Sequence, residues 1–180
     1  MGSTSMKFKG CYAAIGCAII WLATGAHASE TKLMADAVRF APAFTLKDQH
    51  RTSHHYDFPR PRISVLIFAD YAATAQLEDW IQPLYDRYQE AIAIDGVAVL
   101  SKAPKLLRGM VRAAFRDRLA RPVMLDWSGV VSSDYQYEKG EANLFVIAPN
   151  GRILLKIVGA VSAVKLQRVR QAIDHQLSVN

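Results

Sequence analysis

Strand-like and helix-like hydrophobic patterns alternate along the chain from Phe44 onward, and this alternation most constrains the fold. A continuous apolar run is typical of a buried strand, whereas apolar residues spaced three and four apart are typical of a helix with one buried face. The patterns predict two strands, then three strands separated by two helices, then a hairpin and a closing helix. Strands that alternate with helices form a parallel sheet covered on both faces, and the last hairpin adds an antiparallel edge.

The boundaries of these elements follow from the same patterns. The predicted strands cover residues 44–46, 52–56, 63–68, 91–100, 122–127, 144–147 and 153–157. The predicted helices cover residues 74–90, 105–119 and 162–177. Gly96 predicts a break or bulge in its strand, and the Asn150-Gly151 turn is the strongest hairpin signal. The second helix is expected to bury Leu107, Met110, Val111, Ala114 and Phe115.

The first 28 residues have the three parts of a secretory signal peptide. A short basic stretch precedes an apolar run at 11–23, and an Ala-x-Ala cleavage signal ends at Ala28. The run is shorter than the roughly 20 residues that a membrane span needs, so we expect membrane contact only if the leader is retained. Residues 1–5 are interpreted as an upstream start or a cloning remnant. The predicted organisation is a signal peptide at 1–28, an N-terminal extension at 29–43 and a domain at 44–180.

Cysteine is confined to the predicted leader, where Cys11 and Cys17 are the two cysteines of the chain. Residues 29–180 therefore contain no thiol, and a thiolate is the nucleophile of disulfide exchange and peroxide reduction. A thiol-free chain suits an oxidising compartment such as a bacterial periplasm, since no cysteine is left to mispair. The net charge of +6 is a mild bias, and for an exported chain we expect no nucleic-acid partner.

The element order, the motif Phe44-x-Leu46-x-Asp48 and the strand 144–147 followed by Pro-Asn-Gly-Arg resemble the redoxin branch of the thioredoxin superfamily. This branch contains thiol-disulfide reductases and peroxiredoxins. The resemblance covers residues 41–177 and implies an α/β, thioredoxin-like fold: a central mixed sheet with helices on both faces and an N-terminal β-hairpin extension. It also implies a catalytic Cys-x-x-Cys where the first core strand meets the first helix. This chain is a divergent case, because it lacks those cysteines.

Two registers remain open for the lost cysteines. Counting forward from the first core strand places the pair at Ala73 and Gln76, whereas counting back from the helix proline places it at Ala75 and Glu78. The family's cis-proline corresponds to Ala142, where we expect a trans peptide bond and an altered loop. The vacated active-site position is therefore made up of Asp70, Tyr71, Ala73, Thr74, Gln76 and Ala142.

The polar side chains at this position are Asp70, Tyr71 and Thr74. They are candidate ligand contacts, because open α/β sheets bind ligands at the carboxyl ends of parallel strands. The alternative is that Asp70 or Thr74 caps the following helix. We assign no catalytic residue here, although an unrecognised enzyme would have to use these three groups.

Histidine and basic residues supply two further candidate sites. His50, His54 and His55 are weak candidates for a copper or zinc site, because a hairpin would direct His54 and His55 to opposite faces. We therefore predict no metal and no other cofactor. Four cations at helical spacing form one stripe that either docks an acidic partner or anionic lipid, or is a solvated helix face. The stripe consists of Lys105, Arg108, Arg112 and Arg116.

These observations favour an exported, periplasmic protein with a redox-inactive thioredoxin-like fold that serves as a binding or assembly module. The sequence does not identify its protein partner, its ligand or its oligomeric state. One alternative is a metal carrier that uses the histidines of residues 50–55. Another is a redoxin-type thiol oxidoreductase, which the resemblance implies and the missing cysteines disfavour.

Overall fold

The computed structural model describes residues 39–179, so the predicted leader and both cysteines lie outside the described residues. The strands are β1 (Phe44–Lys47), β2 (Ser53–Tyr56), β3 (Ile63–Ala69), β4 (Ile92–Val99), β5 (Met124–Asp126), β6 (Asn143–Ile147) and β7 (Ile153–Val158). The α-helices are α1 (Leu77–Tyr88), α2 (Arg108–Arg118), α3 (Val130–Asp134) and α4 (Ala163–Ser178). Single 3₁₀ turns, Thr74–Gln76 and Lys105–Leu107, precede α1 and α2. The element order agrees with the predicted order except for α3, for which no helix was predicted.

The main sheet has five strands in the order β5-β4-β3-β6-β7, and β1 and β2 form a separate antiparallel hairpin. Strands β3, β4 and β5 run parallel, whereas β6 and β7 add antiparallel strands. The central strand β3 is buried at every position, which is why it reads as a continuous apolar run. The predicted break at Gly96 is wrong, because β4 stays in register with β3 through the Ile67–Gly96 pair. The mixed sheet agrees with the predicted fold class.

Helices α1 and α4 cover one face of the sheet. Trp80 and Leu84 of α1 pack with Val169 and Ile173 of α4 against buried side chains of β3 and β6. The indole Nε1 of Trp80 donates a hydrogen bond of 3.0 Å to the carbonyl of Gly159, so this large buried ring leaves no polar atom unpaired. Each fully buried side chain of this size contributes roughly 1.5–3 kcal/mol to folding.

The hairpin and the short helix α3 cover the opposite face with aromatic side chains. Phe44 stacks on Tyr56 with ring centroids 4.8 Å apart, and Tyr135 lies against Phe68 and Phe145. The hydroxyl of Tyr135 donates to the carbonyl of Pro42 at 2.9 Å. Pairs of this geometry add about 0.5–1.5 kcal/mol each beyond the area that they bury. The hairpin extension is therefore part of the folded core.

The predicted Asn-Gly hairpin joins β6 to β7. Gly151 has φ +91°, and a Cβ there would lie 2.9 Å from the ring of Phe58, so only glycine fits. The chain before β1 packs beside this turn, because Ala41 N donates to Gly151 O and Ile153 N donates to Arg39 O. Among residues 39–179, none of the helices is both long enough and apolar enough to cross a bilayer.

Candidate functional site

The junction between β3 and α1, where the resemblance places catalytic cysteines, is organised by Asp70. Its Oδ1 accepts hydrogen bonds from the amides of Ala72 at 3.0 Å and Ala73 at 3.2 Å. Its Oδ2 accepts a hydrogen bond of 3.0 Å from the amide of Gly140, in the loop before β6. The hydroxyl of Thr74 donates to the carbonyl of Asp70 and caps no amide. Asp70 thus caps the turn that leads into the helix and ties that turn to a second loop.

A second set of hydrogen bonds joins the two halves of the vacated position. The side-chain oxygen of Gln76 accepts from the amide of Ala142 at 3.0 Å, and its nitrogen donates to Glu141 at 3.1 Å. The peptide bond before Ala142 is trans, as predicted, since the cis bond within residues 39–179 precedes Pro59. A proline at position 142 would have no N–H to donate, so the contact with Gln76 depends on alanine.

The remaining groups at this junction are also paired or inert. The amide of Asp70 donates to the hydroxyl of Tyr137 at 3.0 Å, and burial raises the pKa of Tyr137 to about 12, so the phenol is neutral at physiological pH. Ala73 is completely buried, whereas Tyr71 is 96 % exposed. The structure therefore brings Asp70, Gln76 and Ala142 into one hydrogen-bonded junction and leaves Tyr71 in solvent.

Two lysines that the sequence did not single out lie at this edge of the sheet. The nearby ammonium group of Lys139 lowers the pKa of Lys102, because like charges disfavour the protonated form, and the negative charge of Asp70 opposes this shift. Lys102 follows β4 and Lys139 precedes β6, so folding brings together two cations that are distant in sequence. Folding therefore places two cations near Asp70 at the carboxyl ends of the parallel strands.

The three candidate histidines go to different places. His54 Nε2 lies 2.8 Å from Asp48 Oδ2, whereas His55 Nδ1 lies 3.0 Å from the hydroxyl of Thr45 on the other face of the hairpin. His50 contributes its backbone amide, which donates to Asp48 Oδ1. Within residues 39–179, no three metal-ligating side chains come close enough to hold an ion. This geometry does not favour a metal carrier.

Asp48 has its own electrostatic environment in the hairpin turn. Burial alone would raise the pKa of its carboxyl group. The hydrogen bonds from His54 and from the amides of Thr52 and His50 outweigh that effect, so the pKa of Asp48 lies below its usual range. The carboxylate is therefore a structural anchor of the turn.

The basic stripe on α2 is not the solvated face that its spacing suggests. The guanidinium carbons of Arg108 and Arg112 lie 5.2 and 5.7 Å from the centroid of the Trp127 ring. Arg108 also donates to the carbonyl of Trp127 at 3.3 Å. Lys105 and Arg116, at the two ends of the stripe, are exposed. The two central arginines are thus half-buried cation–π partners of one indole.

This packing reverses part of the predicted orientation of α2. Leu107 and Met110 were expected to face the core, but they are 42 % and 70 % exposed. The hydrophobic pattern alone could not show that Trp127, at the end of β5, lies beneath the arginines. A planar guanidinium stacks on an aromatic face and keeps its long apolar stem buried, so arginine can occupy a position where aliphatic side chains were expected.

The arginine–tryptophan cluster contains hydrogen-bond donors without acceptors. Arg108 Nε, Arg112 Nε and Trp127 Nε1 are buried and have no hydrogen-bond partner among residues 39–179. An unmade bond at a buried donor costs about 1–3 kcal/mol. In the described part of the chain, no carboxylate lies within ion-pair distance of any of the four cations of the stripe. Within the described residues the cluster therefore combines buried unpaired donors with cations that form no ion pair.

Trp127 is held in place by the residue before it. Asp126 is completely buried, and its Oδ1 accepts from the hydroxyl of Ser128 at 3.0 Å and the amide of Gly129 at 2.8 Å. Its Oδ2 accepts from the amide and the hydroxyl of Ser132 at 2.8 and 2.9 Å. These four bonds build the turn from β5 into α3. The position of the indole is thus determined by a rigid polar turn.

Comparisons with known proteins show similarity in fold but not in sequence. No protein-family model and no curated protein matches the chain. A putative thiol:disulfide interchange protein DsbE from Chlorobium tepidum matches 79 % of this chain and 98 % of its own, with 20 % identity and a TM-score of 0.61.

Two further solved structures are similar. An exposed lipoprotein thioredoxin from Streptococcus pneumoniae matches 72 % of this chain and 99 % of its own, with 14 % identity and a TM-score of 0.58. The peroxidoxin BcpB from Mycobacterium tuberculosis matches 79 % and 97 %, with 17 % identity and a TM-score of 0.51. Together these similarities show a thioredoxin-like fold.

Proposed function

We propose that this chain is an exported thioredoxin-fold protein that carries out no thiol chemistry and acts as a binding or assembly module. The observation that carries the proposal is the junction between β3 and α1. Residues 29–180 have no thiol to place there, and Gln76 bonds directly to Ala142 across the junction. A position that is reactive when it holds cysteines is here a structural link between two loops.

The proposed location outside the cytoplasm has two supports. The leader at 1–28 has the basic, apolar and cleavage parts of a signal peptide. One similar structure is that of an exposed lipoprotein, and another is that of a putative thiol:disulfide interchange protein. A domain without cysteine can stay in an oxidising compartment without forming wrong disulfides.

The first experiment tests the absence of thiol chemistry. Purified residues 29–180 are assayed for insulin reduction with dithiothreitol and for peroxide consumption. We expect rates equal to the background in both assays. The matched controls are Ala73→Cys/Gln76→Cys and Ala75→Cys/Glu78→Cys, which restore a cysteine pair in the two possible registers. Turnover by the unmodified chain well above background, without any added thiol protein, would contradict the proposal.

The second experiment tests export. The full chain with a C-terminal tag is expressed in a Gram-negative bacterium, the periplasm is separated from the cytoplasm, and the N-terminus of the tagged product is sequenced. We expect a periplasmic product that begins at Ser29. A variant with Ala26→Leu/Ala28→Leu should remain unprocessed, because cleavage needs small residues at these two positions. A cytoplasmic, full-length product from the unmodified chain would exclude export.

A further inference from the structure

We infer that the basic stripe of α2, together with the indole of Trp127, binds the carboxylates of an extended acidic segment in a partner protein. The inference deepens the proposed binding function and rests on it. The stripe is made up of Lys105, Arg108, Arg112 and Arg116, which follow one another along one side of the helix.

The two arginines of the cluster carry charge that no carboxylate among residues 39–179 neutralises. Both guanidinium groups lie within 6 Å of the Trp127 ring, and their Nε atoms are buried without an acceptor among these residues. A partner would therefore meet the outer part of each half-buried guanidinium group, with which a carboxylate forms charge-assisted hydrogen bonds. An anion that binds there would neutralise two neighbouring cations.

The spacing of the cations along α2 indicates that the ligand is an extended peptide. Arg108, Arg112 and Arg116 are four residues apart, which is about 6 Å along a helix at 1.5 Å per residue. Alternate residues of an extended strand are about 6.6 Å apart and point the same way. An extended segment with an acidic residue at every second position can thus place one carboxylate opposite each arginine. A small anion would contact one or two cations only.

The positions of the exposed apolar side chains favour a protein segment over a membrane surface as the ligand. On α2 and the turn before it, the exposed Leu106 and Met110 lie roughly opposite Arg108, since successive residues are about 100° apart around a helix. If these apolar side chains inserted into a membrane, the arginine stripe would point away from the lipid. Arg108 and Arg112 are also half-buried, so a recognition element has to reach in to their guanidinium forks.

The test uses residues 29–180 and a labelled seven-residue peptide, Thr-Glu-Thr-Glu-Thr-Glu-Thr, with binding measured by fluorescence anisotropy at low salt. The emission of Trp127 provides a second signal, because the other tryptophan of residues 29–180, Trp80, is buried in the core. We expect saturable binding that changes the Trp127 emission and weakens with salt. The isomeric peptide with three consecutive glutamates should bind at least threefold more weakly.

Variants separate the stripe from general positive charge. Arg108→Gln/Arg112→Gln should weaken binding at least tenfold, whereas Arg118→Gln/Arg168→Gln, which removes the same charge from exposed positions off the stripe, should change it less than twofold. The double variant Arg108→Gln/Arg112→Lys keeps one more charge than Arg108→Gln/Arg112→Gln but lacks the planar fork at position 112. It should therefore recover less than half of the affinity that the glutamine double variant loses. Circular dichroism checks that each variant is folded.

Three results would overturn the inference. One is the absence of saturable peptide binding, another is an equal loss in the stripe and control variants, and the third is binding to anionic vesicles but not to the peptide. The vesicles contain phosphatidylcholine and phosphatidylglycerol in a 3:1 ratio. The peptide-binding result is independent of the insulin assay. Thiol activity in residues 29–180 would contradict the proposed function even if the peptide binds. The absence of both peptide binding and thiol activity would contradict this inference alone.

Discussion

The junction at the end of β3 and the arginine–tryptophan cluster at the end of β5 lie at the same edge of the sheet, because these strands are parallel. At the junction, Asp70 and Gln76 are paired within the chain. In the cluster, Trp127 and two arginines have buried donors with no acceptor among residues 39–179. The position where the resemblance implies catalytic cysteines is thus closed by hydrogen bonds within the chain. The unpaired donors lie two strands away, in the region where we propose that a partner binds.

The largest expected effect comes from Asp126→Ala, which removes the carboxylate that positions Trp127. Asp126 is completely buried and accepts four hydrogen bonds, two of them from the buried Ser132, so we expect a loss of about 4 kcal/mol in the free energy of unfolding. Chemical denaturation measures the change. Asp134→Ala is the control. Asp134 is exposed on α3, the short helix that follows the Asp126 turn, and its replacement should change the free energy of unfolding by less than about 0.5 kcal/mol. A similar cost for both variants would show that the turn does not depend on Asp126.

The next largest effect tests whether the junction is a structural link. Ala142→Pro removes the amide that Gln76 accepts from and should cost about 2 kcal/mol. Gln76→Ala should cost about 1 kcal/mol in the unmodified chain and close to nothing in the proline variant, since the two residues share one hydrogen bond. Urea denaturation of the unmodified chain, the two single variants and the double variant gives the coupling free energy between positions 76 and 142. Gln82→Ala, an exposed residue of α1, is the control, and additive costs for Gln76→Ala and Ala142→Pro would contradict the link.

The hairpin turn is similar to the junction, because the carboxylate of Asp48 also has its hydrogen-bond partners within the chain. The pKa of Asp48 is lower in the folded chain, so the carboxylate stabilises the fold above the unfolded pKa of about 3.9, and this contribution is lost as pH falls through the lower, folded pKa. Asp48→Asn should cost about 1.5 kcal/mol at pH 7.

The pH dependence distinguishes charge from shape at Asp48. Thermal unfolding is measured at pH 7 and at pH 3. The difference in unfolding temperature between the unmodified chain and Asp48→Asn should be smaller at pH 3. The exposed Asp57→Asn is the control and should be neutral at both pH values. A constant difference between pH 7 and pH 3 would mean that the ionised state of Asp48 has no role.

The smallest expected effect on stability is at the cluster. Arg112→Gln should change the free energy of unfolding by less than about 0.5 kcal/mol, because the lost cation–π contact of about 0.5–1 kcal/mol is offset by removing a buried donor without a partner. Differential scanning calorimetry measures this change. A loss above about 2 kcal/mol would show that Arg112 stabilises the fold, and the contrast between the two regions would disappear.

The alternation of apolar runs and helical spacing was enough to predict the element order, the mixed sheet and the Asn-Gly hairpin, because each of these depends on residues close together in the chain. The lack of a thiol in residues 29–180 is likewise a property of composition. Helix α3 was missed because five residues are too few for a periodic pattern, and its start depends on the buried carboxylate of Asp126. Local pattern thus predicted most of the fold.

The candidate site depended on tertiary contacts that no local pattern contains. Gln76 and Ala142 are 66 residues apart, and their hydrogen bond exists only because the sheet places the loop before β6 beside the start of α1. Gln49 lies in the turn between β1 and β2, yet it is buried, since its side chain bonds to the backbone of Arg121 and Val123. Met110 faces solvent, whereas Arg108 and Arg112 of the same helix lie over the indole of Trp127. Periodicity determines which residues share a face, but the neighbouring element determines whether that face is covered.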